Sequence, residues 1–191
     1  MLARGTQTII NQVQAMKRMV DDFRDYARLP SPTMAPVDIN ALVREVLVLY
    51  EGSRVMIHAE LAADASPVLG DATQLRQVIH NLVQNAQDAT PPAAGPVLLQ
   101  TRLAESGRRV RLTVQDNGPG FPEAILKRAF EPYVTTKSKG TGLGLAVVKK
   151  IMDEHGGRID IGHRLDGDRI VGARVSLLFK VAQTQQDEAT S

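Results

Sequence analysis

The sequence predicts an α+β fold: a two-layer α/β sandwich in which helices cover a mixed sheet, preceded by one long coiled-coil-type helix. Three observations carry this. Apolar residues Ile9, Val13, Met16, Val20, Phe23 and Ala27 step by 4, 3, 4, 3 and 4, a 3.5-residue seam rather than an ordinary globular face. After a proline-rich break, helical and strand-like periods alternate. Two strand-like runs, 97–104 and 109–115, flank Glu105-Ser106-Gly107 and read as a hairpin, which a doubly wound parallel sheet does not favour.

The first element is the seam helix over 6–29. Its strict repeat suits an intermolecular bundle better than packing on its own domain. Pro30, Pro32 and Pro36 end it and mark 30–36 as a stiff linker and domain boundary. Asp38 or Asn40 caps a helix running to about Tyr50. Residues 54–61 alternate as a strand. Over 75–89, Leu75, Val78, Ile79, Leu82 and Val83 form one apolar helical face. The hairpin follows, then a helix over 145–154 entered through glycines. Strands over 158–162 and 170–180 close the sheet. The divisions are therefore 1–29, 30–36, 37–181 and a polar, disordered tail over 182–191.

Composition removes several function classes. In 191 residues, 23 Lys and Arg oppose 21 Asp and Glu, a net +2 that argues against a generic nucleic-acid binder. Aromatics are 4% with no Trp, so base-stacking platforms are excluded. With no Cys there are no disulfides, thiol chemistry or Cys-based metal sites. No apolar run approaches the roughly 18 residues of a spanning helix, so the reading is a soluble, intracellular chain with 43% apolar residues for a core.

Three segments break local rules, and such places point to function. Gln77, Asn81, Gln84, Asn85 and Asp88 line one helix face with amides, where a solvated face would carry Lys, Glu and Arg. Neutral amide oxygens suit Mg²⁺ when phosphates supply the charge. Asp116-Asn117-Gly118-Pro119-Gly120 follows a strand. There an acidic acceptor can take a hydrogen bond from an exocyclic amine such as adenine's, and glycines admit a flat ligand. Gly140-Thr141-Gly142-Leu143-Gly144 opens a helix, where free N–H groups and the dipole favour phosphate. Between them 130–139 reads as a lid. Residues 127–150 carry six Lys or Arg against Glu131 alone, a local +5 within a near-neutral chain.

In this order the segments resemble the N, G1, F and G2 boxes at Asn81 to Asn85, Asp116 to Gly120, Phe130 to Pro132 and Gly140 to Gly144. Over about 37–180 the chain is similar to the ATP-binding catalytic domain of two-component sensor histidine kinases, the GHKL or Bergerat fold. Phe23-Arg24-Asp25-Tyr26-Ala27-Arg28-Leu29-Pro30 resembles the end of the second helix of that family's dimerisation and phosphoacceptor hairpin, in the form found in nitrogen-regulation kinases. The resemblance implies ATP and Mg²⁺ as cofactors. It assigns the metal to Asn85, with Asn81 supporting the site, and the adenine amine to Asp116, with room from Gly118 and Gly120. Phe130 anchors the lid and Lys137 is its cation. Thr141, Gly142 and Gly144 contact phosphates, with Gly140 and Leu143 in the same loop. Asp88 stands where relatives often carry a basic residue.

The position one turn before Asn85 is Asn81, where ATP-hydrolysing relatives place a Glu general base; Asn cannot take a proton, which favours transfer to a protein acceptor. None of the four histidines sits in an acceptor motif. His58 reads as packed in a strand, His80 as structural, His155 as a helix end before Gly156-Gly157, and His163 as surface. The expectation is a chain that starts inside the hairpin's second helix, binds Mg-ATP and does not phosphorylate itself in cis. The implied partners are a response-regulator receiver domain and, through the N-terminal helix of the full-length protein, a second copy. Neither nucleic acid nor, except through upstream segments, a membrane is expected, and the implied location is cytoplasmic. Two other readings stay open: a dimerising ATP-sensing module without kinase activity, and an anti-sigma-type serine kinase.

Overall fold

The computed structural model describes residues 2–135 and 140–183; Lys137, the rest of the lid over 136–139, and the expected tail from residue 184 lie outside them. Helix α1 spans Leu2–Ala27, starting earlier and ending two residues sooner than the periodicity alone suggests. Its seam faces solvent: Ile9, Val13, Met16, Val20 and Phe23 are each more than half exposed. Its end is tied down, with Tyr26 and Leu29 packed on the core and Lys150 Nζ donating to Tyr26 O at 3.1 Å.

The segment read as a linker is docked. Gln74 Nε2 donates to Pro30 O at 2.8 Å, and Thr33 N donates to Asp71 Oδ2 at 2.8 Å. Its last two residues open strand β1 (Ala35–Val37). Helix α2 (Ile39–Val48) follows, N-capped by Asp38, which accepts from Asn40 N and Ala41 N. Strand β2 (Ile57–Leu61) is shorter than the alternation over 54–61 suggests. Strand β3 (Val68–Gly70) pairs antiparallel with β1. Three-residue strands carry no measurable period, so neither was legible in the sequence.

Helix α3 (Ala72–Ala89) starts at Asp71, whose Oδ1 accepts from Thr73 N and Gln74 N at 2.9 and 3.1 Å. The backbone N–H of Thr33, with those of Gln74 and Thr73, holds the Asp71 carboxyl below its ordinary range. A depressed carboxylate stabilises the fold above its unfolded pKa and loses that contribution as pH falls through the folded one. Asp71→Ala is therefore expected to cost about 1–2 kcal/mol near neutral pH, the usual value of a lost cap. In melts run against pH, the gap from wild type should shrink below about pH 4. A gap independent of pH would contradict the assignment.

Strands β4 (Val97–Ala104) and β5 (Arg109–Gln115) form the expected hairpin. A single turn, α4 (Glu123–Leu126), precedes the lid. Helix α5 (Gly144–Glu154) ends at His155 and Gly156, the latter at φ +60°. Strands β6 (Arg158–Asp166) and β7 (Arg169–Lys180) complete a sheet of order β2-β4-β5-β7-β6, parallel only between β2 and β4. Alternate strand residues Val97, Leu99, Val110, Leu112, Val175, Leu177 and Phe179 bury against Val43, Val46, Ile79, Val83, Val148 and Ile151 of α2, α3 and α5.

His155 joins the helix layer to β3. It is 4% exposed, its Nδ1–H donates to Ile151 O at 2.8 Å, and its Nε2 accepts from Asp71 N at 2.9 Å. Those partners require the neutral tautomer protonated at Nδ1. His58, expected to pack, is instead exposed, because it lies on the uncovered face of the edge strand β2.

Candidate nucleotide-binding site

The Asp116 turn sits at the end of β5, clamped by β7. Asp116 is 7% exposed and its Oδ1 accepts from Gly118 N and Ala173 N, both at 2.9 Å. Its own N–H donates to Ala173 O at 3.0 Å. Ionised, such a group only accepts, and these amides set its direction. The glycines are needed for close approach. A Cβ on Gly118 would come within 2.6 Å of Ala89 O, and one on Gly120, at φ +78°, within 2.7 Å of Ile170 Cγ2.

Several residues that hold this turn escaped the sequence reading. Arg164 Nη1 donates to Asp116 O at 3.2 Å and to Asn117 Oδ1 at 2.5 Å. Asn117 Nδ2 donates to Pro96 O at 2.7 Å, and Asn117 N donates to Thr90 Oγ1 at 3.3 Å. A Cβ on Gly172 would overlap Asp116 O. The only signal for Gly172 was an isolated glycine inside a strand pattern. Arg164 had none, because a register shift between Arg164 and Leu165 aims it. His163, expected at the surface, is half-buried and donates from Nε2 to Phe121 O at 2.7 Å, beside Gly120. Arg164→Met is expected to weaken ATP binding about tenfold by loosening this turn, and to lower the apo melting temperature because Asp116 O and Asn117 Oδ1 lose a donor. Unchanged affinity in calorimetric titration would refute that role.

Helix α3 is the wall shared by both halves of the site. Its end meets the turn through Ala89 and Thr90. One turn earlier, Asn85 faces the start of α5, where a Cβ on Gly144 would lie 3.5 Å from Asn85 Nδ2. Asn81 is one further turn back on the same face. Helix α5 has no side-chain cap: its N-cap position is Leu143, and Thr141 Oγ1 accepts from Leu143 N at 3.3 Å just before it. Leu143 is 1% exposed, so its side chain anchors the loop and only its backbone can serve a ligand.

The glycine loop is strapped to the F-box segment. Gly142, at φ +69°, accepts at O from Tyr133 N at 3.0 Å, and a Cβ there would come within 2.6 Å of Tyr133 C. Phe130 is half-buried beside the buried Ala129. Glu131 is paired with Arg128 at 2.7 Å, and the Arg128 hydrogen bond holds its carboxyl below the ordinary range. A cavity of about 350 Å³ opens between Val20 and Phe23 of α1 and Tyr133, Thr141 and Leu143.

On the outer side of α3, Gln84 Nε2 donates to Asp88 Oδ1 at 2.8 Å. The Tyr50 hydroxyl lies 2.9 Å from His80 Nδ1 and 3.3 Å from His80 O. Burial and the nearby Asp88 charge push the Tyr50 hydroxyl up to about 12, so it remains a donor. Among the described residues no three His, Asp or Glu side chains cluster to hold a metal.

An anchored acceptor at a strand end, glycines under it, and an uncapped helix start beside an asparagine define a nucleotide-binding class of protein. The chain belongs to the histidine kinase-, DNA gyrase B- and HSP90-like ATPase family, whose model matches residues 70–183. Within it, this is a catalytic domain of the sensor histidine kinase type. It is 37% identical over 180 residues to the nitrogen regulation protein NtrY of Azorhizobium caulinodans, covering 92% of this chain and 23% of that protein. It therefore spans about a quarter of that relative's length. Full-length ShkA, crystallised with AMPPNP, superposes with a TM-score of 0.76 at 32% identity, over 95% of this chain and 40% of that one. ThkA, in complex with the response regulator TrrA, gives 0.74 at 27% identity, over 95% and 52%.

Proposed function

We propose that residues 37–181 bind Mg-ATP and deliver its γ-phosphoryl group to a histidine of a dimerisation hairpin, for relay to an aspartate of a response-regulator receiver domain. Residues 1–29 serve as that hairpin's second helix and 30–36 as its tethered linker. The observation that carries this is the double contact of α3, which sets the Asp116 turn at one end of a cleft and the uncapped start of α5 at the other.

Asp116 accepts from the adenine amine, and Gly118 and Gly120 let the base lie against backbone. The free amides from Gly144 onward, with Gly140, Thr141, Gly142 and the Leu143 backbone, hold the phosphates. Asn85 offers one neutral oxygen, supported by Asn81, and this donor set fits Mg²⁺ bound mainly through phosphate and water. The bound cation supplies charge neutralisation. Phe130 anchors the lid and Lys137 adds a cation. Asn81 cannot take a proton, so the work assigned to these residues is positioning and electrostatics.

Binding of AMPPNP by ShkA and of TrrA by ThkA supports the nucleotide and the receiver partner. Similarity to the nitrogen regulation protein NtrY supports the nitrogen-regulation type of sensor kinase. The exposed seam of α1 supports homodimerisation in the full-length protein. No helix among the described residues is long and apolar enough to cross a membrane.

The test is to mix the chain with a full-length kinase whose own nucleotide site is disabled, and to supply labelled ATP. Acid-labile phosphate on the partner is expected; acid-stable phosphate would point to serine transfer, and none to a non-catalytic module. In thermal shifts, Asn85→Ala should remove the Mg²⁺-dependent part of ATP stabilisation. A Mg²⁺ dependence equal to wild type would exclude Asn85 as the metal ligand.

A further inference from the structure

The sheet face opposite the helices carries a row of arginines unrelated to the cleft. Across four strands, Arg102 of β4 stands opposite Arg111 of β5, Arg111 opposite Leu178 of β7, and Leu178 opposite Arg158 of β6. Neighbouring strands are about 4.8 Å apart, so Arg102 and Arg111 form a like-charged cross-strand pair, which by itself destabilises a sheet. Both are exposed, and neither has an ion-pair partner among the described residues. Arg158 shares Glu105 with Arg109, and Arg174 lies 3.6 Å from Asp160. A shallow cavity of about 260 Å³ lies between Arg111, Arg158, Asp160, Ser176 and Leu178.

We propose that this face docks an acidic protein segment, whose carboxylates take the forks of Arg102, Arg111 and Arg158 along the shallow cavity floored by Leu178. Arginine matches carboxylates bidentately and is enriched at protein interfaces. A uniform polyanion fits less well. Glu60, Glu105 and Asp160 interrupt the arginines, a mixed pattern that a protein segment with spaced carboxylates can match and a continuous phosphate backbone or anionic bilayer cannot. Arg111 lies five residues before Asp116, about 17 Å along the strand, so the surface is distinct from the nucleotide cleft and independent of the function proposed above.

The experiment measures binding of a fluorescein-labelled peptide of glutamates spaced by neutral residues by anisotropy at low and high salt, with ATP present to occupy the other basic region. The chain is expected to bind it in a salt-dependent manner. R102E/R111E should weaken binding about tenfold or more, whereas R44E/R54E, an equal charge change on exposed residues elsewhere, should leave it nearly unchanged. Melting temperatures report folding, and R111E alone should raise it by placing opposite charges across the β4–β5 pair. The proposal is overturned if the two double variants lose binding equally or if wild type does not bind the peptide. Tighter binding of single-stranded DNA or phosphatidylserine vesicles, with the same dependence on Arg102 and Arg111, would overturn it too.

Discussion

Asp116→Ala is expected to abolish the rise in melting temperature that ATP induces. Nucleotide at a hundredfold excess over its dissociation constant stabilises a protein by about 2.7 kcal/mol. In a chain of this size that is roughly 5–10 °C. The alanine removes the proposed acceptor for the adenine amine and also leaves Gly118 N and Ala173 N without their Oδ1 partner. The apo protein should therefore lose about 1–3 kcal/mol as well. Asp116→Asn separates the two effects. Its remaining carbonyl oxygen keeps both backbone amides, while the other atom changes from acceptor to donor. Its apo melting temperature should stay close to wild type and its ATP shift should disappear. An ATP-induced shift of full size in Asp116→Asn would remove Asp116 from adenine recognition.

Gly172→Ala should be the most disruptive small substitution in the sheet. The added Cβ falls on the carbonyl oxygen of Asp116, and β7 cannot retreat without breaking the reciprocal bonds between Ala173 and Asp116. Overpacking of this kind costs about 1–3 kcal/mol or more, and here the displaced carbonyl belongs to Asp116, the proposed adenine acceptor. A fall in apo melting temperature and a loss of ATP affinity of about tenfold or more should appear together. Gly162→Ala is the control. It is in the paired strand β6, but its Cβ would only reach Arg174 Nη2 at 3.8 Å, an ordinary contact. If the two alanine variants behave alike, the close approach at Gly172 has no functional weight.

Much of this arrangement was legible before any coordinates. The 3.5-residue seam located α1, and the 3.6-residue apolar face located α3. The alternation on either side of Glu105-Ser106-Gly107 placed β4 and β5 at their observed bounds. Those signals are local, repeated and driven by burial of one face. Three-residue strands β1 and β3 were not legible, because each is held by pairing with residues distant in sequence, and the single turn α4, closed by Ile125 N and Leu126 N on Pro122 O, is too short to show a period. The same cause explains the docked linker: Thr33 reaches Asp71 across 38 positions and Pro30 reaches Gln74 across 44. It also explains His58 and His163, whose exposures follow from strand order and from the position of Phe121.

The sequence by itself determined the candidate chemistry: which residues can accept, ligate or admit a phosphate, and in what order along the chain they occur. Such properties belong to side-chain type and short-range spacing. Only the tertiary structure decided how these groups stand to one another. It brought Asn85 against Gly144 and Ala89 against Gly118 on a single helix, and set Arg164 and Gly172 behind Asp116. It also left a row of arginines facing solvent. These relations depend on strand order and register, in which residues dozens of positions apart become neighbours about 5 Å apart.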